Sequence, residues 1–280
     1  MDHVRLSLLV IFSIAGAYSI KAAEVPYNQN YVPAWGGDHI KVLDQGRQVQ
    51  LLIDRSSGAG FRSKQFFGSG LFRILMKIPS KNTKGILTTF FLTSAIPNQP
   101  VKNHDELDFE FLGSNDKGYA LNTNVFANDF GGREQQFRLW FDPTADFHTY
   151  EILWNQKQIV FFVDGRPIRV FKNNEHIGVN YPKNLMHIET SLWNATWAGN
   201  VDWSQEPFIA NYRGFEIEGC LYDHSNPNKC YSQDYYWNAG TYLQLSPNQQ
   251  RIYEVLRKKY MSYDYCTKNL KNHPECESNK

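Results

Sequence analysis

Apolar and polar side chains alternate strictly from Glu106 to Phe111 within the run His104-Asp105-Glu106-Leu107-Asp108-Phe109-Glu110-Phe111-Leu112, which is expected as a strand. Successive side chains of a strand point to opposite faces, so His104, Glu106, Asp108 and Glu110 are expected on one face and Leu107, Phe109 and Phe111 on the other. The same period-two pattern, or short apolar runs bounded by turn residues, predicts strands at 39–43, 49–54, 61–67, 68–78, 86–92, 120–126, 136–141, 148–154, 158–163, 168–171, 186–193 and 208–217. Asp164-Gly165 joins two of these as a hairpin. One helix is predicted near the end: Ser246 as N-cap, Pro247 at the first helical position, Gln249 closing a capping box, and Ile252, Val255 and Leu256 as its apolar face.

A dozen or more short strands with a single late helix predict an all-β fold, a two-sheet sandwich of jelly-roll type. The ends read differently. Residues 4–17 form an apolar run behind His3 and Arg5, followed by small residues, the pattern of a secretory signal cleaved after Ala17, Ser19 or Ala23. Four cysteines, Cys220, Cys230, Cys266 and Cys276, lie late and in pairs ten residues apart. In a secreted chain they imply disulfides, and of three connectivities the local one, 220 with 230 and 266 with 276, is expected. The expected organisation is a leader over 1–23, a sandwich over 24–218, and a bridged extension over 219–280 that packs beside it.

Composition narrows the partner. Formal net charge is +1 and the longest basic run is Lys258-Lys259, which argues against nucleic acid. Aromatic residues make up 15%, with seven Trp and sixteen Tyr, suited to sheet packing or to flat stacking on sugar rings. A monomer acting on a neutral ligand, with no membrane partner, is expected.

The row of acids remains to be explained, because like charges on one strand face cost stability. A solvated strand face is one reading. A metal site is another, but an extended strand spreads its ligands over roughly 13 Å at about 3.3 Å per residue, too far for one ion without help from other strands. The third is cleavage of a glycosidic bond by two carboxyls, about 5 to 5.5 Å apart for a retaining mechanism and about 6.5 to 9.5 Å for an inverting one. A sheet concave on this face, with the two glutamates leaning together, would bring them to the retaining end.

The run from His104 to Gly113 closely resembles the active-site signature of plant xyloglucan endotransglucosylase/hydrolases, in glycoside hydrolase family 16. The similarity extends through Asn122-Thr123-Asn124-Val125-Phe126, Arg133-Glu134-Gln135, Leu139-Trp140-Phe141-Asp142-Pro143-Thr144, Phe147-His148-Thr149-Tyr150, Pro167-Ile168-Arg169-Val170-Phe171, Ser191-Leu192-Trp193-Asn194 and the four-cysteine tail. The resemblance implies a concave β-jelly roll and a retaining mechanism with Glu106 as nucleophile, Asp108 as its helper and Glu110 as acid/base. It implies no cofactor and no metal, and a place in the cell wall and apoplast. It also implies a cleft lined by His104, Asn122, Thr123, Asn124, Arg133 and Glu134, with Trp193 and Trp197 stacking on glucosyl units and the tail lengthening the acceptor side.

Several positions depart from that pattern. Residues 96–103 look longer than the usual Ser-rich loop, Phe91 stands where a tyrosine is common, and Lys271 stands where an arginine is. Ser114-Asn115-Asp116 is not a glycosylation sequon, whereas Asn194-Ala195-Thr196 is one, in a segment from Trp193 to Trp197 that is one residue short. Three outcomes stay open: transfer of the glycosyl group to a xyloglucan chain end, hydrolysis by water, or lectin-like glucan binding without turnover. The intact acid triplet argues against mere binding. The short 127–132 connection favours transfer, since the dedicated hydrolases of the family carry a longer loop there.

Overall fold

The computed structural model describes residues 25–96, 99–114, 119–223, 225–226, 228–267 and 273–277. The expected leader, Lys271 and parts of the 96–103 and 114–118 loops lie outside the described residues. Strands are numbered in chain order. One sheet runs, in space, β1 (Tyr31–Trp35), β4 (Ala59–Ser63), β13 (His187–Asn194), β6 (Ile86–Thr93), β7 (Glu106–Leu112), β8 (Ala120–Phe126), β9 (Gln135–Phe137), β16 (Met261–Asp264). The other runs β12 (Arg166–Lys172), β11 (Gln158–Val163), β10 (His148–Trp154), β5 (Phe67–Lys77), β14 (Phe208–Arg213), β3 (Gln48–Ile53), β2 (Ile40–Leu43), with β15 (Glu218–Leu221) also on β5. These ladders are antiparallel. The architecture is the expected all-β jelly-roll-like sandwich.

The sheets meet over one continuous apolar layer, in which Phe61, Phe72, Phe90, Phe109, Phe111, Tyr150 and Phe161 are fully buried. This layer follows from alternation: each inner strand of the cleft sheet sends every second side chain inward. Burying a Phe or Leu side chain contributes roughly 1.5–3 kcal/mol, so slipping β7 by one residue would both expose its Phe side and bury its acids.

The expected strand over 208–217 ends at Arg213, because the chain turns at Gly214, φ +73°, and pairing resumes only at Glu218 with β15. The expected strand over 136–141 stops at Phe137. The helix is α2 (Pro247–Tyr260), following the one-turn α1 (Tyr27–Asn30), and its capping box is closed by Ser246 and Gln249 as expected. Its inner face differs from the expected one. Tyr253 and Leu256 are buried and Ile252 packs on the core, while Val255 is exposed, a hundred degrees or so around the helix from Leu256. Disulfides join Cys220 to Cys230 and Cys266 to Cys276. The segment after residue 217 also joins the sheets themselves, adding β15 to one and β16 to the other.

Candidate active site

The back of β7 fixes its front. Leu107, Phe109 and Phe111 are fully buried. The Phe109 ring stands edge-on to Phe161 at 5.1 Å and to Tyr150 at 5.7 Å, and Phe111 edge-on to Tyr150 at 5.2 Å. With that face locked, Glu106, Asp108 and Glu110 project together into a cleft of about 600 Å³. In register, Glu106 lies between Thr93 and Phe126, Asp108 between Phe91 and Asn124, and Glu110 between Thr89 and Asn122. The strand begins at Glu106, two residues into the run expected as a strand. Asp105 turns inward there and accepts from the backbone N–H groups of Asn128, Lys183 and Asn184 at 2.7–2.8 Å, tying two neighbouring loops to the start of the strand.

The three carboxyls titrate in different ways. Burial pushes Asp108 well above the usual carboxylate range, and the charges of Glu106 and Glu110 on either side push it further; the buried guanidinium of Arg169, reaching from β12, opposes them. Burial also raises Glu106, but Thr93 and Asp108 both donate hydrogen bonds to it and hold it lower than its burial alone would. Both members of this adjacent pair thus hold a proton more tightly than a free carboxyl would. Glu110 is pushed up to about 7 by burial and by the charges of Glu106 and Glu134, with an Asn122 hydrogen bond acting the other way. One strand thus presents two neighbouring carboxyls raised by burial and, at Glu110, a carboxyl poised near neutrality.

Asn122, Asn124, Glu134 and Trp193 line the same cleft. Asn124 donates to Glu134 Oε1 at 3.3 Å, and Gln136 donates to Asn122 Oδ1 at 3.0 Å. Thr123 and Arg133 do not line it, contrary to expectation. Thr123 is the odd residue between two cleft-facing asparagines, so it points into the sandwich, where its hydroxyl and carbonyl accept from Arg169. Arg133 is turned inward by the bend at Gly132, φ +73°, and its guanidinium is buried against Glu275, Val125 and Phe130. His104 is held beside the cleft with Nδ1 2.8 Å from Asp129, its ring against Phe126, and its charge acts on Glu106. Trp197 is 65% exposed and meets Trp193 edge-on at 6.4 Å. Asn194 is exposed at the end of β13.

Trp35, Thr89, Phe126, Glu189 and Ser191 also line the cleft without having stood out in the sequence. A signal for some of them exists: His187, Glu189, Ser191 and Trp193 alternate with Ile188, Thr190 and Leu192, which fill the opposite, buried face. Among the described residues, no group of three or more His, Cys, Asp or Glu side chains is placed to hold a metal ion.

Residues 27–213 match the family model for glycosyl hydrolases family 16. The chain is 50% identical to xyloglucan endotransglucosylase/hydrolase protein 3 of Arabidopsis thaliana, over 97% of each chain, and 48% identical to protein 2 of the same plant, over 95% of this chain and 94% of that one. Among solved structures, the β-glucanase of Bacillus licheniformis superposes with a TM-score of 0.56 at 26% identity, covering 66% of this chain and 89% of that one. The chain is therefore a member of glycosyl hydrolases family 16, in its xyloglucan endotransglucosylase/hydrolase branch.

Proposed function

We propose that the protein is a secreted, retaining xyloglucan endotransglucosylase of the plant cell wall. The observation that carries this reading is geometric: Glu106, Asp108 and Glu110 project from β7 into one cleft, where burial raises all three carboxyls and pushes Glu110 up to about 7. Glu110 donates its proton to the glycosidic oxygen as Glu106 attacks the anomeric carbon. The released chain end leaves with that proton, and the glycosyl group stays on Glu106 as an ester. Esterification removes the Glu106 charge, one of the causes of Glu110's raised proton affinity, so Glu110 now favours the carboxylate. As base it takes the proton of an incoming hydroxyl, whose oxygen displaces Glu106 from the anomeric carbon and restores the starting state.

A sugar hydroxyl at that step gives transfer, and water gives hydrolysis. A tenfold preference needs only about 1.4 kcal/mol between the two barriers. The compact 127–132 connection supports transfer; its turn is closed by Ala127 N–H donating to the Phe130 carbonyl and the reverse, each at 3.1 Å. β16 widens the sheet on the β9 side, where an acceptor chain would lie.

The deciding experiment incubates the secreted protein with high-mass xyloglucan, with and without a labelled xyloglucan oligosaccharide. Label entering polymer is the expected result. New reducing ends without incorporation would identify a hydrolase, and binding without either product would overturn the enzymatic reading.

A further inference from the structure

We propose that Glu189 is a specificity-determining residue that touches the glycan, accepting hydrogen bonds from sugar hydroxyls on the β13 side of the catalytic strand and favouring neutral glycans over acidic ones. The inference rests on the glycan-cleft reading above.

Glu189 faces Phe91 across β6, and Phe91 faces Asp108 across β7. Two strand spacings place it about 10 Å along the sheet from the catalytic strand, a stretch spanned by a short run of sugar rings. The carboxylate is fixed from below. His187, 1% exposed, brings Nε2 to 3.1 Å from Glu189 Oε2. The other ring nitrogen, Nδ1, has no partner, and the ring is packed edge-on to Phe66 at 4.8 Å. The Nε2–H of this ring is donated to Glu189, and among the described residues the ring has no other hydrogen-bond partner. Among the described residues Glu189 makes no further hydrogen bond, so Oε1 is left for a ligand in the cleft. Its charge also reaches Glu106, whose proton affinity it helps to raise.

The surroundings supply the apolar half of a sugar site. Gly60 stands opposite Ser191 on β4, and a Cβ there would come within 2.5 Å of Trp35 Nε1. The missing side chain lets the Trp35 indole lie against the sheet and line the cleft beside Glu189. A flat aromatic surface next to a fixed acceptor suits a pyranose ring, apolar on its faces and hydroxylated at its rim. Among the described residues, the cleft is lined by Glu106, Asp108, Glu110, Glu134 and Glu189 and by no Lys or Arg. Arg62, directly opposite Glu189 on β4, shares its face one strand farther out. A ligand meeting the Glu189 carboxylate must donate hydrogen bonds, and a uronate beside it would be repelled.

Calorimetric titration with a short xyloglucan oligosaccharide tests this without turnover, in the E106A protein and in that protein carrying E189Q or E189A. The expected result is a Kd about 10-fold or more weaker for Glu189→Ala, the loss of one charge-assisted hydrogen bond, and a smaller loss for Glu189→Gln, which keeps an acceptor oxygen. In the active enzyme the same changes should raise KM for donor polymer and leave KM for the acceptor oligosaccharide unchanged. Glu189→Gln should also reduce discrimination against an oligosaccharide bearing a uronic acid. If Glu189→Ala fails to fold because His187 loses its partner, Glu189→Gln decides. Unchanged affinity in the folded variants would overturn this inference alone. Absence of binding to every one of the proteins would overturn the glycan-cleft reading as well.

Discussion

Arg133 Nε donates to Glu275 Oε1 at 2.8 Å, and the two side chains are only 2% and 1% exposed. The pair joins the bridged C-terminal segment to the wall of the cleft. The Arg133 backbone N–H donates to Asn124, and Arg169 donates to the Arg133 carbonyl, so one buried network supports β8 from behind. Replacing Glu275 by Ala leaves a buried guanidinium without its counter-charge, which should cost about 3–5 kcal/mol. Urea denaturation would measure it. Replacing Arg133 by Met together with Glu275 by Leu should recover much of the loss, because the desolvation cost disappears with the charges.

Glu110→Gln removes the proton donor while keeping shape and the Asn122 contact. Turnover of polysaccharide should fall about 10²–10⁴-fold. An aryl glycoside whose leaving group needs no proton should still form the glycosyl-enzyme, visible as a burst of released phenol. Equal losses on both substrates would contradict the acid role.

Glu106→Ala should abolish transfer and hydrolysis together, because both pass through the same ester. Retained turnover of xyloglucan, measured by reducing ends and label incorporation, would remove Glu106 from the nucleophile's position.

The pH dependence follows from Glu110. It must be protonated in the free enzyme, so kcat/KM should fall as pH rises through about 7. Stability runs the same way. The folded protein binds the Glu110 proton more tightly than the unfolded chain, so this group's contribution is full below about 4.5 and is lost as pH rises from there through about 7. Glu110→Gln should flatten that slope, read by thermal melts across the window. A wild-type slope of opposite sign, with Glu110→Gln parallel to it, would count against the assignment.

Asn194 is exposed within a sequon, and secretion from a plant host should place a glycan on it. The expected check is a loss of mass on amidase treatment that Asn194→Gln abolishes.

Local pattern determined much of this protein. Period-two alternation placed Glu106, Asp108 and Glu110 on one face, because a strand has only two faces and the Phe side cannot be left in water. Capping chemistry set the start of α2, and the ten-residue spacing suited local disulfides. The same parity, applied to 122–124, separates Thr123 from its two neighbours. What only the tertiary structure decided lies across strands. Arg133 and Glu134 are adjacent in sequence, yet the bend at Gly132 sends one into the core and the other into the cleft. Glu189 and Trp35 reach the site because β13, β4 and β1 pair beside β6, and β15 and β16 pair with β5 and β9, strands far away in the chain. Sheet order and register depend on the packing of the whole apolar layer, and no single strand's periodicity contains that information.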